Sequence, residues 1–320
     1  MDLPENPFYI LHGLPDMEFP KLSRLAAGFS GPEEKLAQEA LANLRNPQKR
    51  LDAELGWLYA PAPVALQPGQ QGAGSLPAGV SEPRLTPLSS CNLAIWQIST
   101  QDVLPASEFA DKIRILAENF GNVRPSALFK NLEDLRKTAA FLPIKSQEDV
   151  ALALGRRLKY FISALEAALD LFPAEEIPGI MEATIKAATR DGRRRCPVLL
   201  TRLAARYELH CLGFIKGENA NVNQILAALD AAEAASEREK LLAWLEASLA
   251  NWSRVCGPLA ISCLSRGLTW QPGLGLGLKL YNYALGLYPQ RRPESKRIMQ
   301  LAQGVCAHIP SIRQLCAPYA

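Results

Sequence analysis

From about residue 105 nearly to its end, the chain sets apolar side chains at three- and four-residue spacing, interrupted only by glycine and proline. That period belongs to helices that pack by one face, and it points away from a strand-built core. The clearest case opens at Ser146-Gln-Glu-Asp149, a capping box. It carries Leu154, Leu158, Phe161, Leu165, Leu169 and Phe172 as one stripe, and Pro173 stops it. Further helices are expected at 106–120, 126–141, 175–190, 197–215, 221–235, 237–254, 276–288, 294–307 and 310–317. The breaks between them fall at Gly121, Pro143, Pro173, Gly192, Gly217, Gly257-Pro258 and Pro289. Short connections of this kind suggest antiparallel hairpins in an irregular bundle or solenoid, without a fixed repeat. The fold class read from the sequence is all-α.

Residues 1–60 form a separate helical pattern. Ser30-Gly-Pro-Glu33 reads as a second capping box, with Leu36, Ala40 and Leu44 on one face of the helix that follows. Asn46-Pro47 repeats the start signal and leads into Leu51, Leu55 and Leu58, with Trp57 beside them. Between this head and the helical body, residues 61–90 hold Pro61, Pro63, Pro68, Pro77, Pro83 and Pro87 among four glycines. Such a run has little to bury, and we expect a flexible linker over 61–104. The linker contains a short apolar piece, Asn92-Leu-Ala-Ile-Trp-Gln-Ile98, expected as a strand or a docked extended segment, between which periodicity alone does not decide. The expected division is therefore a head at 1–60, a linker at 61–104 and a body at 105–320.

The two ends of the head, Asn6-Pro-Phe-Tyr-Ile-Leu-His-Gly-Leu14 and Asn46-Pro-Gln-Lys-Arg-Leu-Asp52, carry a family likeness. Together they resemble the opening and closing signatures of the J-domain of DnaJ-type co-chaperones, over about a sixth of the chain. The resemblance implies a small three-helix module. Phe19 to Phe29 would stand for the basic helix, and Pro32 to Leu44 for the third. Asn46-Pro-Gln-Lys-Arg50 with Asp52 would stand for the basic ending, its acid displaced by a residue or two. It also implies a surface, at Lys21, Arg24, Lys49 and Arg50, that could meet an Hsp70-like ATPase. The His-Pro-Asp with which J-domains stimulate that ATPase is missing: the loop between Phe29 and Pro32 holds only Ser-Gly, and Pro15-Asp16 lies in the wrong loop without a histidine. Residues 1–60 carry six basic and nine acidic side chains, so the positive face is missing too. The expectation is a retained shape without the stimulating chemistry.

No other motif marks a reaction. Seven scattered cysteines without a C-x-x-C are read as reduced, buried thiols. His210 adjoins Cys211, but neighbouring side chains diverge on a helix, and Cys256-x6-Cys263 is not a zinc-finger spacing. Gly273-Leu-Gly-Leu-Gly277 lacks the lysine and hydroxyl of a phosphate loop and is read as close helix packing or a turn. No catalytic, metal or cofactor residue is therefore expected. The opening Met1-Asp-Leu-Pro-Glu5 has no signal-peptide pattern, and no uncharged run reaches the ~18 residues of a membrane helix. We expect a cytoplasmic, bacterial-type protein.

The net charge of +3, from 35 basic and 32 acidic residues, does not mark a dedicated nucleic-acid binder. The basic clusters Arg190, Arg193, Arg194 and Arg195 and Arg291 with Arg292 remain candidate surfaces for an acidic partner or a nucleic acid. The expected function is a non-catalytic adaptor or scaffold component that binds protein partners. The alternatives are a co-chaperone that recruits an Hsp70-like ATPase without His-Pro-Asp, and a nucleic-acid-binding helical protein.

Overall fold

The computed structural model describes residues 3–58, 85–100, 104–307, 309 and 314–315. Among them it holds thirteen α-helices and no strand. The chain divides into two compact units, Met1–Phe172 and Pro173–Ala320.

The first unit begins with α1 (Pro7–Ile10), α2 (Phe19–Ala27), α3 (Pro32–Arg45) and α4 (Pro47–Leu55). Proline in the first turn of each costs no hydrogen bond, because that N–H would have had no helical partner. Asn46 caps α4 as its sequence predicts, accepting from the N–H groups of Gln48 and Lys49. Ser30 does not cap α3. Gly31 holds that position at φ 64°, and no side chain caps it. Leu36 is 54% exposed, while Ala37, Ala40, Leu41 and Leu44 are buried. The inward face of α3 is thus one residue out of step with the expected Leu36–Ala40–Leu44 line at its start. The core of these four helices centres on Phe8, Leu11, Leu22 and Leu44, closed by Trp57 edge-on to Phe8 at 5.9 Å. Asn6 ties the two ends together: its carboxamide accepts from Phe8 N–H and donates to the Ala53 carbonyl at 2.8 Å.

The unit continues with α5 (Pro87–Thr100), α6 (Ala106–Gly121), α7 (Pro125–Thr138) and α8 (Gln147–Leu169). The apolar piece 92–98 is therefore helix, where a strand or extended segment was expected. Pro87 starts it, and the Thr86 hydroxyl accepts from Ser89 N–H. Leu88, Cys91, Ile95 and Ile98 then recur at helical spacing as its buried face. Residues 61–84 and 101–103 of the expected linker, and 59–60 of the expected head, lie outside the described residues.

The expected boundaries at 60 and 105 do not bound the compact units. Asn92 of α5 donates to the carbonyls of Leu55 and Trp57 at 2.9 and 3.0 Å, and its own carbonyl accepts from Arg157 Nε of α8. The C-terminal end of α4 thus has its backbone satisfied by a helix that lies within the expected linker, and the first four helices share one unit with α5–α8.

The second unit holds α9 (Ile177–Thr189), α10 (Val198–Ala231), α11 (Ala235–Leu264), α12 (Gln271–Leu287) and α13 (Arg292–Val305). The breaks expected at Gly217 and Gly257-Pro258 are absent. α10 runs through the first for 34 residues and α11 through the second for 30. A mid-helix glycine costs about 1 kcal/mol, less than the burial of Ile215 and Val222 on either side returns. Pro258 is itself buried, so its ring packs in the core. α10 and α11 form a hairpin in which the Tyr207 hydroxyl donates to the Val255 carbonyl at 2.8 Å. α12 and α13 form another, tied by the Ser295 hydroxyl to the Ala284 carbonyl at 2.6 Å. The glycine run lies inside α12. A Cβ on Gly273 would stand 3.0 Å from the ring of Trp270, the N-cap of the same helix, while one on Gly275 would meet nothing within 4 Å.

The turn from α9 to α10 is tightly built. Arg190, Asp191 and Gly192 all have positive φ, at 50°, 55° and 83°. A Cβ on Gly192 would meet Leu264 Cδ2 at 2.9 Å. Gly192→Ala should therefore destabilise the second unit by about 1–2 kcal/mol, through both backbone strain and the clash. A thermal melt of the full chain would show it as a lowered midpoint, and an unchanged midpoint would mean the turn relaxes freely.

Candidate functional site

Arg50 and Glu54 stand one turn apart on α4 and so share a face. That face points inward: Arg50 is 0% and Glu54 1% exposed. Arg50 Nε donates to Glu54 Oε1 at 2.9 Å, and its Nη2 donates to the Pro15 carbonyl at 2.9 Å. Arg136 arrives from α7 on the other side of the same carboxylate, with Nε 3.2 and 3.0 Å from its two oxygens. Its remaining donors reach the carbonyls of Leu142 and Pro47. The Phe141 ring lies 4.1 Å from the Arg50 guanidinium carbon and 5.5 Å from that of Arg136. The result is a buried Arg–Glu–Arg triad stacked on an aromatic ring.

This triad corrects one sequence expectation. Arg50, expected on an exposed J-like docking surface, is fully enclosed, because its charge is used to hold Glu54 and the Pro15 turn. Lys21, Arg24 and Lys49 are exposed as expected, Lys49 Nζ donating to Asn43 Oδ1 at 2.9 Å. The adjacent pair Lys49-Arg50 is thus split, one side chain outward and one inward.

Beside the triad lies an open groove of about 510 Å³. Its walls come from α4 (Pro47, Leu51), from Leu142, Pro143 and Ile144, and from one face of α8 (Asp149, Leu152, Arg156). The α8 residues fall at i, i+3 and i+7, which explains why they line one side. Arg156 Nη2 donates to Asp52 Oδ1 at 2.7 Å and links α8 to α4. Leu142 and Leu152 are 61% and 64% exposed, so the groove is flanked by two leucines left in water. A second groove, of about 580 Å³, lies between α5 and α7 over Leu88, Val123, Leu128 and Leu135. Its leucines and Val123 are buried or half-buried, while Pro87 and Ala127 are exposed.

The expected basic clusters do not form one surface. Arg190, Arg193, Arg194 and Arg195 are exposed in the turn before α10. Arg291 donates to the Leu229 carbonyl at the far end of α10, and Arg292 stacks on Tyr288. At 1.5 Å per residue the two ends of that helix lie ~50 Å apart. Arg297 pairs with Glu239 and Glu246 of α11, while Glu294 of α13 holds Arg238 of α11. Arg297 accordingly keeps the Glu246 carboxyl below its usual range.

Four of the thiols are poor nucleophiles. Burial pushes Cys91 up to about 12 and raises Cys211, Cys256 and Cys263 as well, so all four stay protonated at neutral pH. His210 is exposed, and His12 stacks on Phe29. Among the described residues no three His, Cys, Asp or Glu side chains gather as a metal site. No helix among them is long and apolar enough to cross a membrane.

Sequence reasoning could have found the Arg50–Glu54 pair from its i, i+4 spacing. It had no signal for Arg136, which is 82 residues from Glu54. Nor could it find a groove assembled from two helices and a loop. The chain matches no family model, no curated protein and no solved structure.

Proposed function

We propose that the chain is a non-catalytic adaptor or scaffold component that holds a protein partner in the groove between α4 and α8. The observation that carries this reading is the pair of leucines at the groove, Leu142 and Leu152, each more than 60% exposed. Leaving two large aliphatic side chains in water on one groove forgoes about 1.5–3 kcal/mol of burial for each, which a partner can recover. The floor they flank is already ordered by the Arg136 and Glu54 contacts, so docking pays little to organise it.

The test is affinity capture of the full chain against Leu142→Glu/Leu152→Glu, read by quantitative mass spectrometry. Both side chains are exposed, so the variant should fold and melt as the parent does. Partners of the groove should fall at least about tenfold in the variant. An unchanged partner set would overturn the proposal. An Hsp70-like ATPase lost instead on charge reversal of Lys21, Arg24 and Lys49 would put the co-chaperone reading in its place.

A further inference from the structure

A smaller cavity lies in the second unit, between α10 and α11, with a volume of about 250 Å³. Pockets that enclose drug-sized ligands run to roughly 300–1,000 Å³, so this one suits a smaller molecule. Much of its lining is polar. Thr201, Arg202 and Glu208 enter from α10, and Cys263 enters from the C-terminal end of α11 with Arg266 just beyond it.

The Arg266 guanidinium is held in place. Its Nε donates to the Ser262 carbonyl at 3.0 Å and its Nη2 to Cys263 Sγ at 3.2 Å, which leaves Nη1 for a ligand. The Arg202 guanidinium is exposed, and neither it nor the Thr201 hydroxyl has a partner among the described residues. One unpaired arginine on a surface is ordinary. Two that line one small cavity, one of them fixed by the backbone, form a fork for ligand oxygens.

Glu208 is the carboxylate of the lining. It stands two turns along α10 from Thr201, about 10 Å of helical rise, and accepts from Trp270 Nε1 at 2.7 Å. Tyr207 meets Val255 across the α10–α11 hairpin, so Glu208 lies toward the middle of that hairpin and Arg266 toward its open end, with Thr201 and Arg202. The cavity therefore has a basic end that carries a hydroxyl and another end at Glu208 and Trp270. Arg193, Arg194 and Arg195 are exposed in the turn at the same open end, where a Cβ on Gly192 would stand 2.9 Å from Leu264. Their field draws anions toward the basic end.

A phosphate monoester carries about −1.5 to −2 charge at pH 7 and presents three acceptor oxygens. The basic end sets three donor groups against them. A carboxylate offers two oxygens and a single charge, and so uses less of the site. We propose that this cavity binds a phosphate group, free or carried on a small molecule, with its oxygens on Arg202, Arg266 and the Thr201 hydroxyl. The site lies in the second unit and is independent of the groove between α4 and α8.

Isothermal titration calorimetry on the full chain, at constant ionic strength, tests it. The probes are inorganic phosphate, glycerol phosphate, acetate and a single-stranded oligonucleotide. At least one phosphate probe should bind with a dissociation constant of about 1 mM or tighter. The tighter of the two tells whether the group is taken free or carried. Arg202→Gln and Arg266→Gln should each weaken binding at least about tenfold. Arg266→Lys should not restore the parent affinity, because an ammonium lacks the fork. Leu142→Glu/Leu152→Glu should bind phosphate as the parent does, which keeps a failure here distinct from a failure at the groove. Thermal melts check that each variant folds. Arg202 has no side-chain partner to lose, so its variant stays readable even if Arg266→Gln loosens the end of α11. The proposal is overturned if neither phosphate probe binds by about 10 mM, if acetate binds as tightly, or if Arg202→Gln binds as the parent does. It is overturned equally if the oligonucleotide binds more tightly than both phosphate probes and loses that binding in the same variants.

Discussion

Glu54→Ala is expected to cost the unit Met1–Phe172 about 3–5 kcal/mol, a large share of the roughly 5–15 kcal/mol by which native proteins are stable. The substitution removes little volume. Its cost comes from the two guanidiniums left behind, Arg50 at 0% and Arg136 at 2% exposure, with only backbone carbonyls and aromatic faces around them. A buried charge without its counter-charge is far more expensive than the same site built from hydrocarbon. The matching control is therefore the triple variant Arg50→Met/Glu54→Leu/Arg136→Met, which should recover most of the loss by replacing the ionic cluster with a packed apolar one. Urea unfolding of the full chain, followed through tryptophan emission with Trp57 in this core, separates the two variants. A loss under about 1 kcal/mol for Glu54→Ala would show that water reaches the triad and that it does not lock α4 to α7.

Asn92→Leu should have the next largest effect, a loss of about 3 kcal/mol at nearly constant volume. Asn92 is 2% exposed, and all of its hydrogen-bonding capacity is directed at three groups: the carbonyls of Leu55 and Trp57 and the Arg157 guanidinium. Leucine fills the space and satisfies none of them. The carbonyls that lose their donor end α4, so protection should fall first at Asp52–Leu58 in amide hydrogen exchange. Equal exchange there in variant and parent would mean that another donor replaces the carboxamide.

These two residues also show where the sequence was readable and where it was not. The helical class, the starts at Pro32, Asn46-Pro47 and Ser146, and the α8 stripe follow from local spacing and caps, which act over a few residues. Ser30 misled because its capping pattern lies where Gly31 takes a backbone conformation that leaves the hydroxyl without its N–H. Segment 92–98 was ambiguous because seven apolar-rich residues fit either period. The Thr86 cap and Pro87, farther upstream, settle it as helix. Gly217 and Pro258 were read as breaks, since each is unfavourable in an isolated helix. Their cost is overcome by the burial of the long α10–α11 hairpin, which no local window contains.

The candidate site was less legible. Arg50 looked like a surface charge because arginine is rarely fully buried. Only the meeting with Glu54 and Arg136 makes its enclosure tolerable. Local chemistry by itself determined that this chain is helical, where most helices begin, and that its thiols and histidines form no recognised reactive motif. Tertiary structure decided the rest: that the first four helices share a unit with α5–α8, that one arginine of the pair Lys49-Arg50 is buried, and that Leu142 and Leu152 stay exposed at one groove. Caps and periodicity are set within a turn or two of chain. Burial, charge pairing and groove formation depend on residues brought together from 40 to 100 positions apart, and no short stretch of sequence encodes that meeting.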